Sequence, residues 1–110
     1  MTESFGEFIH RLRTEKGLTL TQLGGQLNID SGALSKIENG KKPLDEKTLP
    51  KLAKIFKLDI NELKDEFFSE KIAKEIFQNK CSEKVLVLTE AKIKSMRSRN
   101  TKQATLGFSS

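Results

Sequence analysis

The stretch LTLTQLGGQLNIDSGALSKIENG, Leu18 to Gly40, has the spacing of two short helices joined by a tight turn. Thr19 is placed to cap the first, its hydroxyl accepting from free backbone N–H groups while Gln22, three residues on, reaches back to complete a capping box. Leu18 and Leu23 bracket that cap as a hydrophobic staple. Asp30 caps the second helix with Ile29 and Leu34 as its staple, and Asn39-Gly40 supplies a left-handed stop. Only Asn28-Ile29 separates the two, so the helices must meet at a steep angle. Leu20, Leu23, Leu27, Leu34 and Ile37 recur at helical spacing and fill that angle. Ser31, Gly32, Ser35 and Lys36 are left facing outward. A helix face of small and basic residues, starting at an exposed N-terminus, is one that a DNA major groove admits, although an ordinary solvated helical hairpin has the same pattern.

The segment LTQLGGQLNIDSGALSKIENGKK resembles the helix-turn-helix of the Xre family, which includes lambdoid phage repressors and Cro proteins. The likeness is specific at Leu23, at Ile29 to Leu34, and at Leu34-Ser35-Lys36-Ile37-Glu38-Asn39-Gly40, and extends from about Phe5 to Leu63. It implies an all-α, five-helix lambda-repressor-like domain whose second motif helix enters the major groove. Base reading then falls to Ser31, Gly32, Ala33, Ser35 and Lys36. Backbone contacts fall to Thr19, Leu20 through its N–H, Gln22, Asn39, Lys41 and Lys42. The resemblance also pairs Arg13 with Glu38, tying the first helix to the recognition helix. Three positions depart from the family pattern. Gly24 stands where Ala is usual, Gly25 adds a second helix-weakening residue at roughly 1 kcal/mol each against Ala, and Asn28 replaces the turn glycine. Asn tolerates the left-handed conformation, so the turn survives.

Outward from the motif, Ser4-Phe5-Gly6-Glu7 is a further capping box, opening a helix that runs to Lys16 and stops at Gly17. Phe5, Phe8, Ile9 and Leu12 form its apolar face, and His10 reads as a plain surface or edge histidine. Downstream, Lys41-Lys42-Pro43 is a basic loop. Leu44-Asp45 with Leu49, and Leu58-Asp59 with Glu62 and Leu63, repeat the staple and cap. Pro50 near the start of the fourth helix removes one intrahelical bond.

The domain is expected to span 1–66. Residues 67–96 continue as a helical extension in which Phe67, Phe68, Ile72, Ile76 and Phe77 make one stripe. Ser82 caps another helix through Leu86, Ile93 and Met96. A five-helix domain closes its own core, so these surplus apolar faces call for a partner, and a second copy of the chain is the natural one.

The net charge of +5 lies entirely at the C-terminal end. Residues 1–66 hold eleven basic and eleven acidic residues, residues 67–91 four of each, and residues 92–110 hold Lys92, Lys94, Arg97, Arg99 and Lys102 and no acid. From Arg97 to Ser110 the chain reads as an extended basic polar tail. Arg97, Arg99 and Lys102 are its candidate DNA contacts, and Leu106 and Phe108 offer an alternative docking point on a partner subunit.

With 110 residues, one cysteine and no apolar run of membrane length, the sequence predicts one soluble, cytoplasmic domain without an internal disulfide. No paired carboxylates, metal-ligand set or nucleophile constellation is apparent, so no catalytic residue, metal or cofactor is expected. The resulting reading is a homodimeric, sequence-specific regulator binding double-stranded DNA at a pseudo-palindromic operator. It resembles the controller proteins of restriction–modification systems and small phage repressors. Two other readings use the same residues: an antitoxin that autoregulates and masks a toxin with its extension, and a protein-interaction module that has lost DNA binding. The sequence assigns no toxin or RNA polymerase contact.

Overall fold

A computed structural model describes the backbone of residues 2–105 and the side chains of residues 2–100. Leu106 and Phe108 lie outside the described residues. Six α-helices follow one another: α1 (Phe5–Glu15), α2 (Leu20–Leu27), α3 (Ser31–Glu38), α4 (Leu49–Phe56), α5 (Ile60–Gln78) and α6 (Lys84–Thr105). The chain divides into two compact units, one reaching to Ile72 and the other beginning at Ala73.

In the first unit the helix starts follow from local chemistry. Ser4 accepts from the Glu7 N–H at 3.1 Å while the Glu7 carboxylate accepts from the Ser4 N–H at 2.9 Å. Thr19 and Gln22 make the same reciprocal pair at 3.0 and 2.8 Å. Asp30 accepts from the Gly32 N–H at 2.7 Å, and Asp59 accepts from the Asn61 N–H at 2.7 Å. Asp45 serves a different element from the one expected. It caps a short 3-10 helix, Glu46–Thr48, that feeds into α4 without a side-chain cap of its own. Because α4 begins at Leu49, Pro50 falls in its first turn, where its missing N–H costs no intrahelical bond.

The helix ends share one device as well. A residue at positive φ follows α1 to α5 in turn: Gly17, Asn28, Gly40, Lys57 and Lys80. Each time, the next N–H bonds back five residues, as in Leu18 to Arg13, Ile29 to Gly24 and Leu58 to Ala53.

Ile9, Leu23, Leu34, Leu49 and Leu52 are fully enclosed, with Phe5, Leu27, Ile37, Leu44, Ala53 and Leu63 completing the core. Two glycines allow close approaches that any larger residue would block. A Cβ on Gly6 would stand 2.4 Å from the Ile37 carbonyl oxygen, and one on Gly24 would stand 2.4 Å from that of Ile29. Gly24 is therefore what lets α2 turn so sharply into α3, while nothing lies near Gly25.

The helix starting at Ile60 does not end with the predicted domain. Phe67 packs edge-on against Phe5, with ring centroids 5.3 Å apart, and Glu70 accepts from the Phe5 N–H at 2.9 Å. Those turns of α5 are thus occupied in holding the start of α1, so Phe67 is not the uncovered partner-seeking residue the sequence suggested.

In the second unit, the end of α5 and all of α6 are joined by a short loop, with α6 opening at Lys84 rather than directly after Ser82. No described residue of this unit is buried; Ile76, Val85 and Thr89 are half-buried. The described part of the expected extended tail, residues 97–105, is instead helical, since α6 continues through Thr105. Ser, Thr, Asn and Gln carry little apolar periodicity, but nothing in that run breaks a helix already under way.

Candidate nucleic-acid interface

The outward face of α3 is set by what the helix gives to the core. Leu34, Ile37 and Glu38 point inward, so the opposite face is left to solvent: Ser31, Gly32 and Lys36 are exposed, and Ala33 and Ser35 are half-exposed. Its bulk is small over the first turn and its one charged side chain, Lys36, stands a turn later. Asn39 is more constrained than expected, because its amide donates to the Ser35 carbonyl at 2.8 Å and so closes the end of its own helix.

At the start of α2 the capping box engages the N–H groups of Thr19 and Gln22. The N–H groups of Leu20 and Thr21, in the first turn, have no acceptor within the helix and are available to an anion. Gln22 is held through its amide oxygen, which leaves its NH2 group outward. Lys41 and Lys42 are exposed in the loop after α3.

Two bases that the sequence reading passed over belong with them. Lys47 and Lys51 line, with Lys42, Asn28 and Ile29, a cleft of about 460 Å³ beside the α2–α3 turn. Lys47 stands on the short 3-10 helix and Lys51 on the first turn of α4, and neither carries a local pattern that marks it in the sequence. Residues 36–57 carry seven lysines against Glu38, Asp45 and Glu46, whereas residues 58–70 carry five acids against Lys64. A domain of zero net charge has therefore sorted its charge along the chain, with the basic part running from Lys36 on α3 to Lys57.

The end of α3 is fixed from behind by a buried carboxylate. Glu38, its side chain only 5% exposed, receives Arg13 Nε on Oε2 at 2.7 Å and Arg13 Nη2 on Oε1 at 3.0 Å. The third guanidinium nitrogen donates to the Leu18 carbonyl at 2.9 Å, so one arginine joins α1, the entry to α2 and the end of α3. His10 is also drawn in, its Nδ1 lying 2.8 Å from Glu38 Oε1. A surface or edge histidine was expected here, but not its contact with Glu38, because a contact across 28 positions leaves no local pattern. Burial pushes the Glu38 carboxyl up, but the hydrogen bonds and charges of Arg13 and His10 outweigh it and hold the group below its ordinary value.

Of the residues expected to mediate assembly, Phe67 and Phe68 are half-buried, and the Lys71 ammonium sits 5.9 Å from the Phe68 ring. Ile76 is half-buried, while Ile72, Phe77, Leu86 and Ile93 are exposed, Phe77 by 84%. Val87, Leu88 and Met96 are exposed too. Arg97, Arg99 and Lys102 all lie on α6. Among the described residues no helix is long and apolar enough to cross a membrane.

Comparison with known proteins gives these features a context. Residues 6–66 match the sequence profile of the family described as "Helix-turn-helix domain". Over 57 residues, 51% of the chain, the sequence is 40% identical to the HTH-type transcriptional repressor RghR of Bacillus subtilis (strain 168). The matched part spans 42% of that relative's length. Among solved structures, the restriction–modification controller protein C.AhdI from Aeromonas hydrophila is similar at 29% identity and a TM-score of 0.48, over 54% of this chain and 89% of that one. The biofilm master regulator SinR, solved in complex with DNA, is similar at 26% identity and a TM-score of 0.47, over 55% of this chain and 97% of that one.

Proposed function

The chain belongs to the helix-turn-helix domain family, and on that premise we propose that it is a transcriptional regulator that binds a pseudo-palindromic DNA operator as a homodimer. The observation that carries this is the outward face of α3, small over Ser31 and Gly32 and basic at Lys36, on a helix anchored through Glu38. Gly32 and Ala33 let the helix sit deep in the groove. Lys36 then reaches a guanine edge, and Ser31 and Ser35 make shorter contacts to bases or phosphate. Phosphate is held by the start of α2 (Thr19, the Leu20 N–H and the Gln22 amide) and by Lys41, Lys42 and Asn39. Lys47 and Lys51 extend that basic surface. These contacts position the protein without specifying sequence.

Assembly falls to the unit beginning at Ala73. A stretch with no buried side chain among its described residues and with Phe77, Leu86, Val87, Leu88, Ile93 and Met96 exposed retains too little packing to hold two helices in water by itself. A second copy covering the same faces supplies it. The acid-free half of α6 brings Arg97, Arg99 and Lys102 to the DNA backbone as a helix rather than as an extended arm.

Selection from a random duplex pool tests the reading. It should enrich a two-fold sequence whose half-sites lie about one DNA turn, roughly 34 Å, apart. A pool that stays random after repeated selection would contradict it.

A further inference from the structure

We propose that His10 is a positioning residue for DNA recognition, fixing the last turn of α3 by donating from Nδ1 to the buried Glu38 carboxylate. This rests on the DNA-binding reading above. The geometry requires a proton on Nδ1. Glu38 is held ionised beside Arg13 and can only accept, so a nitrogen 2.8 Å from its Oε1 must be a donor. Arg13 Nη2 approaches the same nitrogen at 3.3 Å. Two donors do not bond to each other, so this approach reflects their convergence on the one oxygen, which Nη2 reaches at 3.0 Å.

His10 is well suited to placing a charge without filling the core. Its side chain is 55% exposed, so burial gives it little hold of its own. The carboxylate it meets is almost fully desolvated, where a lost hydrogen bond is felt most. It also belongs to a stripe. Gly6, His10 and Arg13 recur at helical spacing on α1, and Gly6 approaches the Ile37 and Glu38 carbonyls more closely than any larger residue could. The three thus address one turn of α3, the turn that also carries Lys36. Without His10, Oε1 keeps only Arg13 Nη2, and the carboxylate can swing with its arginine. Lys36 then holds the binding geometry for a smaller fraction of the time, which lowers apparent affinity by that fraction.

Affinity for the selected duplex and for random duplex should be measured across a salt series with the full chain, for wild type, His10→Ala and His10→Asn, alongside each protein's thermal midpoint. An asparagine amide places Nδ2 near the position of the imidazole Nδ1 and can restore the bond. His10→Ala should lose about tenfold on the selected duplex, the order expected for one hydrogen bond to a charged group, with a smaller loss on random duplex and an unchanged salt slope. His10→Asn should recover to within about twofold. Equal losses on both duplexes with a shallower slope would make His10 a phosphate contact and overturn the proposal. Unchanged affinity in His10→Ala, or an affinity loss that His10→Asn fails to recover, would overturn it too. If the wild-type protein itself prefers no duplex, the DNA-binding reading fails and this inference falls with it.

Discussion

Gly24 and Gly25 look alike in sequence, and the chain asks opposite things of them. At Gly24 a methyl group would meet the Ile29 carbonyl oxygen at 2.4 Å, backbone that cannot step aside without opening the α2–α3 turn. Gly24→Ala should therefore destabilise by about 1–3 kcal/mol, as overpacking does. At Gly25 the same methyl meets nothing within 4 Å, so Gly25→Ala should stabilise by roughly 0.5–1 kcal/mol through helix propensity alone. Urea unfolding of the two variants checks both signs; two stabilising substitutions would show that the turn tolerates a side chain at position 24. Propensity made both glycines legible as weak points in the sequence. That one of them is required by a close approach was not legible, because the clash lies with a residue beyond the turn.

At the scale of the helices, starts were easier to read than ends. Ser4, Thr19, Asp30 and Asp59 announce themselves because a capping side chain bonds within three residues. The stops at Lys57 and Lys80 gave no warning, since a left-handed lysine differs from any other only in φ. Long-range ties were equally silent apart from Arg13 with Glu38, which family resemblance supplied. That pair joins elements, and its burial sets its worth. With Glu38 5% and Arg13 12% exposed, breaking it by Glu38→Gln should cost about 3–5 kcal/mol in urea unfolding rather than the under 1 kcal/mol of a surface pair. The pH dependence has a definite sign. A carboxyl held below its ordinary 4.5 in the folded state contributes stability that is present above that value and lost as pH falls through its lower folded value. Acidification from pH 5 should therefore erode wild-type stability more steeply than that of Glu38→Gln. Parallel acid limbs would remove Glu38 from the account.

For the molecule as a whole, charge and apolar surface are apportioned unequally. Residues 1–66 are neutral and the excess of +5 falls in residues 92–110, the C-terminal unit that also shows most of the exposed large apolar side chains. If those side chains form the two-fold contact, Phe77→Glu or Leu86→Glu should leave a folded monomer that binds the operator poorly. Sedimentation that still finds a dimer would refute the assignment. If Arg97, Arg99 and Lys102 each neutralise a phosphate, replacing all three with alanine should reduce the slope of log K against log salt by about 2.7 per subunit. An unchanged slope would leave the basic half of α6 in solvent. Composition made this charge legible but misjudged its form. Freedom from acids reads as a tail, whereas α6 carries the same residues in a helix through Thr105.

The central claim is that α3 reads bases, and Lys36 bears most of that claim because it is the charged residue on the face α3 leaves open. The most direct test is the affinity of Lys36→Ala for the selected duplex and for random duplex at one fixed salt concentration. A guanine-reading lysine predicts a loss of roughly 1–3 kcal/mol on the selected duplex, with relaxed preference at a single base pair and little change on random DNA. An equal loss on both would make Lys36 a backbone contact and contradict the claim.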